Sequence, residues 1–103
     1  MASIPDYETN QFVAGMSKNR MWIGAKRDPM DKSKFVWSDG SPMSSQFWRI
    51  HEPNSLAEEC AEINFHTHET WNDVRCHYKK NYVCQSKGAS KKYHIKLSLN
   101  NFI

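Results

Sequence analysis

Three short stretches gather the oxygen-bearing side chains of this chain. Glu52-Pro53-Asn54 sits in a segment without periodicity, Glu58-Glu59-Cys60 follows shortly after, and Trp71-Asn72-Asp73-Val74-Arg75-Cys76 comes later. Together they offer the carboxylates of Glu52, Glu58 and Asp73 and the amide carbonyls of Asn54 and Asn72, anchored by two cysteines. Ca²⁺ is a hard ion that takes about six to eight oxygens at roughly 2.3–2.6 Å from such groups. A proline inside the loop can hold the flanking Glu52 and Asn54 carbonyls toward one side, above all in the cis form. Residue types alone leave a second reading open: Glu52, Asn54 and Glu58 as solvated loop polars, and Asn72-Asp73 as a turn.

Other chemistries find less support. His66 and His68, with Glu69 nearby, invite zinc, but no third ligand has the right spacing, and an exposed loop is the better reading. Paired carboxylates could do acid–base work on a glycosidic bond. No Gly-rich phosphate loop, nucleophile elbow or Cys–His dyad accompanies them, so no enzyme is expected. Cys60, Cys76 and Cys84 contain no Cys-x-x-Cys pair, which argues against zinc knuckles and thioredoxin-like redox sites. They read as a disulfide scaffold for an oxidising compartment, with one cysteine lacking a partner.

The elements that must position these groups are short. Residues 6 to 16 read as an amphipathic helix with Phe12, Val13 and Met16 on its apolar stripe, Pro5 suiting its start and Gly15 its end. Met21-Trp22-Ile23, ending at Gly24, and Phe35-Val36-Trp37 read as strands. Residues 41 to 59 hold no period and are interrupted by Pro42 and Pro53, longer than the ~12–15 residues usual for a structureless connection. Such a loop in a compact domain tends to be functional. Strands are expected over 60–65, 71–76 and 81–85, and an extra strand or a disordered tail over 94–99.

The 103 residues suffice for one small domain, and 39% apolar with 13% aromatic residues can supply its core. A net charge of +3 without a basic stripe gives no reason to expect nucleic acid. No apolar run nears the ~20 residues that span a bilayer. Residues 1 to 6 lack the features of a signal peptide.

Trp22-Ile23-Gly24-Ala25, Trp37-Ser38-Asp39-Gly40, Trp48, Glu52-Pro53-Asn54, Glu58, Cys60 and Trp71-Asn72-Asp73, then Cys76 and Cys84, stand in the order seen in C-type lectin-like domains. Over residues 2 to about 86 the chain resembles that family. The resemblance implies an α+β fold: a short helix and small antiparallel sheets carrying a long Ca²⁺-binding loop. It implies a domain over residues 1–86, incomplete at its N-terminus, and an extension over 87–103. It places Ca²⁺ on Glu52, Asn54, Glu58, Asn72 and Asp73, with two sugar hydroxyls joining the metal and bonding to the same side chains. Glu-Pro-Asn is the order associated with mannose, N-acetylglucosamine, glucose and fucose, where galactose binders usually carry Gln-Pro-Asp, because exchanging acid and amide reverses which side donates. The implied partners are glycans with mannose-like equatorial hydroxyls, bound outside the cell, with an oligomer supplying avidity. Cys60 is implied to pair with Cys76. Trp22, Trp37 and Trp48 are expected in the core.

The departures set further expectations. The family's first strand, first helix and first cysteine have no counterpart, so Cys84 is expected to be free or to pair between chains. His51 replaces a glycine often found before Glu-Pro-Asn and strains the loop if that position needs a positive φ. Ser55 stands where secondary Ca²⁺ sites often have an acidic residue, so one strong site is expected. A protein-binding or inactive lectin-like domain is the alternative function.

Overall fold

The computed structural model describes residues 1–85 and 93–96. Helix α1 spans Tyr7–Ala14. Asp6 caps it: its backbone is extended, and its side chain accepts a hydrogen bond from Thr9 N at 2.8 Å, satisfying an amide that the first turn leaves free. The inward face differs from the expected stripe. Asn10, Val13 and Ala14 are buried, whereas Tyr7 and Phe12 are more than half exposed and Met16 only flanks the core. The cause is Asn10. Its Nδ2 donates to Glu69 O at 2.7 Å and its Oδ1 accepts from Trp71 Nε1 at 2.8 Å. A polar side chain with both groups partnered can occupy a core position, and hydrophobic spacing is blind to that.

Six strands follow: β1 (Met21–Arg27), β2 (Phe35–Trp37), β3 (Cys60–Ile63), β4 (Trp71–Val74), β5 (Asn81–Gln85) and β6 (Tyr93–Lys96). They form one sheet in the order β4-β3-β1-β5-β6, with β2 pairing the far end of β1. All pairings are antiparallel except β1 with β5, where Met21 stands beside Asn81. The fold is α+β, one short helix with a mostly antiparallel sheet, as the resemblance implies. The strand reading over 94–99 meets β6 only in part, because residues beyond Lys96 lie outside those described, as do residues 86–92.

Strand β1 does not stop at Gly24 but runs three residues past it. The glycine is there for close approach. Gly24 N donates to Ala2 O at 2.9 Å and Ala2 N donates to Val83 O at 2.8 Å, so the N-terminal residues thread beside β1 and β5. A Cβ on Gly24 would lie 2.8 Å from Ala2 O. A glycine inside a strand marks such an approach as readily as an end.

The core joins Ile4, Val13, Met21, Ile23, Trp37, Ala61, Ile63, Trp71 and Val83. Trp71 is its aromatic centre, with the rings of Trp37, Phe47 and Trp48 at 5.4–5.5 Å and nearly perpendicular to it, an arrangement that ring quadrupoles favour. Trp22 is buried as well, with Lys80 Nζ 5.0 Å from its ring, while Trp48 is half-buried against Phe35 and Trp71. Cys60 and Cys76 form a disulfide, and Cys84 is unpaired among the described residues.

Candidate functional site

The long loop over 41–59 is laid against β4 before it reaches its acidic residues. Trp71 N donates to Phe47 O and Arg49 N donates to Trp71 O, both at 2.8 Å, and Trp48 bridges Trp71 in parallel. The packed indole of Trp71 therefore fixes the start of β4 and one limb of the loop together. A turn follows, with Glu52 N donating to Arg49 O at 2.8 Å. His51 takes φ 70 there, and the Glu52–Pro53 peptide is cis. The positive φ is thus required, and a non-glycine residue in it costs on the order of 1 kcal/mol, although histidine is one of the residues enriched there.

Beyond Pro53 the loop is fastened to Asp73. Asn54 N lies 3.1–3.2 Å from its carboxylate oxygens and Ser55 N lies 3.0 Å from Oδ2. Asp73 is fully buried on β4, beside Asn72, which is almost so. Asn72 Nδ2 donates to Glu62 Oε2 at 2.9 Å across the β3–β4 ladder, where these two residues stand opposite each other. Glu58 N closes a turn onto Ser55 O at 3.0 Å, and its side chain is half-buried. Strand and loop thus bring Glu52, Asn54, Glu58, Asn72 and Asp73 into one neighbourhood.

The electrostatics of this neighbourhood are repulsive. Burial, the adjacent Asp73 carboxylate and the charge of Glu58 push the Glu52 carboxyl up to about 7, against a downward pull from Arg49. Burial and Asp73 also raise Glu58, opposed by Arg75. One carboxyl oxygen of Glu52 is buried without a hydrogen-bond partner. Backbone amides and Arg27, fastened to Asp73, hold these acids near one another, and a hard cation would relieve both the repulsion and the orphaned oxygen. The residues fit Ca²⁺ on that ground. Among the described residues, no three His, Cys, Asp or Glu side chains close up into a metal-holding group by themselves. The set at hand leans on carboxamide oxygens as well. His66 and His68 are exposed on the turn before β4.

Sequence reasoning passed over the residues that hold this set in place. Glu62 is fully buried, takes two hydrogen bonds from Arg20 at 2.6 and 2.9 Å, has Lys80 Nζ at 3.3 Å, and steadies Asn72. Arg27, at the end of β1, is 6% exposed. Its Nη2 lies 3.1 Å from Asp73 Oδ2 and 2.9 Å from Ser55 O, its Nη1 2.7 Å from Lys32 O, and its Nε 3.2 Å from Glu58 O. The available signal was a basic residue two positions after buried Ala25 on the same strand. That residue alone does not say what it meets.

A family model of the lectin C-type domain matches residues 1–86. The chain belongs to the C-type lectin domain family, whose members are generally carbohydrate-binding. Human versican core protein is 35% identical over 88 residues, which is 82% of this chain and 3% of that protein. A lectin of Pleurodeles waltl is 36% identical over 93 residues, 82% of this chain and 54% of that one. The chain therefore spans a small part of the first and about half of the second. Among solved structures, the mouse scavenger receptor C-type lectin carbohydrate-recognition domain is 28% identical with a TM-score of 0.60, covering 72% of this chain and 58% of that one. A calcium-independent type II antifreeze protein, 20% identical with a TM-score of 0.66 over 95% of this chain and 68% of that one, shares the fold.

Proposed function

We propose that this domain binds carbohydrate through Ca²⁺ and prefers sugars of the mannose type. The observation that carries the reading is the fastening of the Glu52-Pro53-Asn54 loop to buried Asp73 by two backbone amides, within a set of acids that repel one another. In this reading Glu52, Asn54, Glu58, Asn72 and Asp73 supply the oxygens around the ion. The sugar is held by two neighbouring equatorial hydroxyls on the metal, which also bond to Glu52 and Asn54. Ca²⁺ affinity of ~10⁻⁴–10⁻³ M, as in extracellular modules, and weak monosaccharide affinity go with so open a site. Several copies acting together outside the cell would supply avidity.

A second reading has one observation in its favour. Asp73 already receives N–H donors from Arg27, Asn54 and Ser55, so the loop keeps its shape without an ion. Binding of a non-sugar partner without calcium is compatible with that.

The two part on immobilised mannose. The calcium reading predicts retention of the chain in Ca²⁺, release by chelator, and competition by free mannose but not by galactose. Exchanging acid and amide, Glu52→Gln with Asn54→Asp, shifts preference toward galactose. Retention that persists in chelator, or a double variant that still prefers mannose on a glycan panel, contradicts it.

A further inference from the structure

We infer that Arg27 is a positioning residue: a cation tethered to β1 that, before any dissolved ion arrives, orders the Ser55–Glu59 loop and, beside the amides of Asn54 and Ser55, sets the carboxylate of Asp73. The guanidinium collects acceptors from three separate pieces of chain. Lys32 O comes from the connection between β1 and β2, Ser55 O and Glu58 O from the long loop, and Asp73 Oδ2 from β4. The backbone of the same residue adds Arg27 N to Glu59 O at 2.8 Å. Carbonyl and carboxylate oxygens turned toward one buried point repel unless a positive charge fills it. Here that charge is covalently attached.

A planar fork is what this convergence requires. The donors leave Arg27 in one plane toward acceptors on different sides, and the Phe35 ring lies 4.5 Å beneath the guanidinium carbon and holds that plane. A lysine ammonium, compact and strongly hydrated, cannot serve the same acceptors. Two consequences follow. The loop is ordered in the absence of calcium, and Ca²⁺ binds as a single ion to a largely prepared site. Only the second consequence rests on the calcium reading.

Hydrogen exchange of the full chain tests this in chelator and then in Ca²⁺. In chelator, the amides of Asn54 and Ser55 are expected to be protected in the wild-type chain. Arg27→Gln is expected to accelerate them about tenfold or more, the equivalent of one or two lost charge-assisted hydrogen bonds, with Ile63 on β3 unchanged. Arg27→Lys should recover only part of the protection. With Ca²⁺ alone as titrant, the wild-type chain should bind one ion, and Arg27→Gln should weaken that binding about tenfold. Wild-type exchange in chelator at the rate of an unstructured amide overturns the proposal, as does an Arg27→Gln chain within twofold of wild type at both amides. If Arg27→Gln loses protection at Ile63 too, Arg27→Lys takes its place, and equality with wild type at Asn54 and Ser55 overturns the proposal. A protected wild-type loop that binds no Ca²⁺ sinks the calcium reading and leaves the role of Arg27 intact.

Discussion

Asp73 receives three N–H groups, while Glu52 keeps a buried oxygen with none. That asymmetry sets how the site responds to pH. Burial and Asp73 raise Glu52 to about 7, so its contribution to the ion-free fold is fully present below the ordinary carboxyl range and is lost as pH rises through 7. On the proposed reading calcium would run the opposite way, because an ion held by Glu52 would need its carboxylate and compete with that proton. Affinity for Ca²⁺ is therefore predicted to fall between pH 8 and pH 6, by up to about tenfold per unit below 7, far above the range of an ordinary glutamate. Calcium titrations at pH 8, 7 and 6 check this, and a constant affinity across them contradicts the assignment of Glu52. At Asn10 the prediction concerns stability. Asn10→Ala strands Trp71 Nε1 and Glu69 O in the interior and is expected to destabilise by ~1–3 kcal/mol in urea unfolding.

At the scale of elements, β1 organises the molecule: it pairs with β2, β3 and β5, and its glycine admits the N-terminal residues. Gly24→Ala forces a methyl group against the backbone of Ala2, with Met1 O at 3.1 Å as well. It should lower stability by ~1–3 kcal/mol, read as a fall in midpoint on thermal unfolding. An unchanged midpoint would show that the N-terminal segment does not hold the place described for it. The short strands were legible as apolar runs, although β1 passes its glycine to Arg27 and β3 and β4 stop at Ile63 and Val74, each two residues short of the expected ends. The helix face was not legible, since Asn10 outweighs Phe12 through partners that lie far off in sequence. Nor was Arg27, whose acceptors are mostly backbone carbonyls that no side-chain pattern announces. His51 was half legible: the glycine-like demand could be anticipated, but its φ of 70 needed the loop to be built.

On the scale of the whole molecule, the disulfide and the Trp71 cluster bracket the strands that bear the site. Cys60 opens β3 and Cys76 follows β4, so the bond closes one end of a short ladder whose two inner rungs carry Asn72 and Asp73. A loop of that length contributes about 3 kcal/mol in the chain-entropy account. No helix among the described residues is long and apolar enough to cross a membrane. The central claim is that this sheet and loop form one calcium site, and thermal unfolding of the oxidised chain in Ca²⁺ and in chelator tests it most directly. An ion bound only by the native state stabilises it by mass action, and at ten times the dissociation constant the gain is about 1.4 kcal/mol, or roughly 6–11 °C for a domain of this size. The account predicts a cooperative transition that rises by that amount in Ca²⁺, with the rise lost in Glu52→Gln. A cooperative transition at the same temperature in both conditions contradicts it.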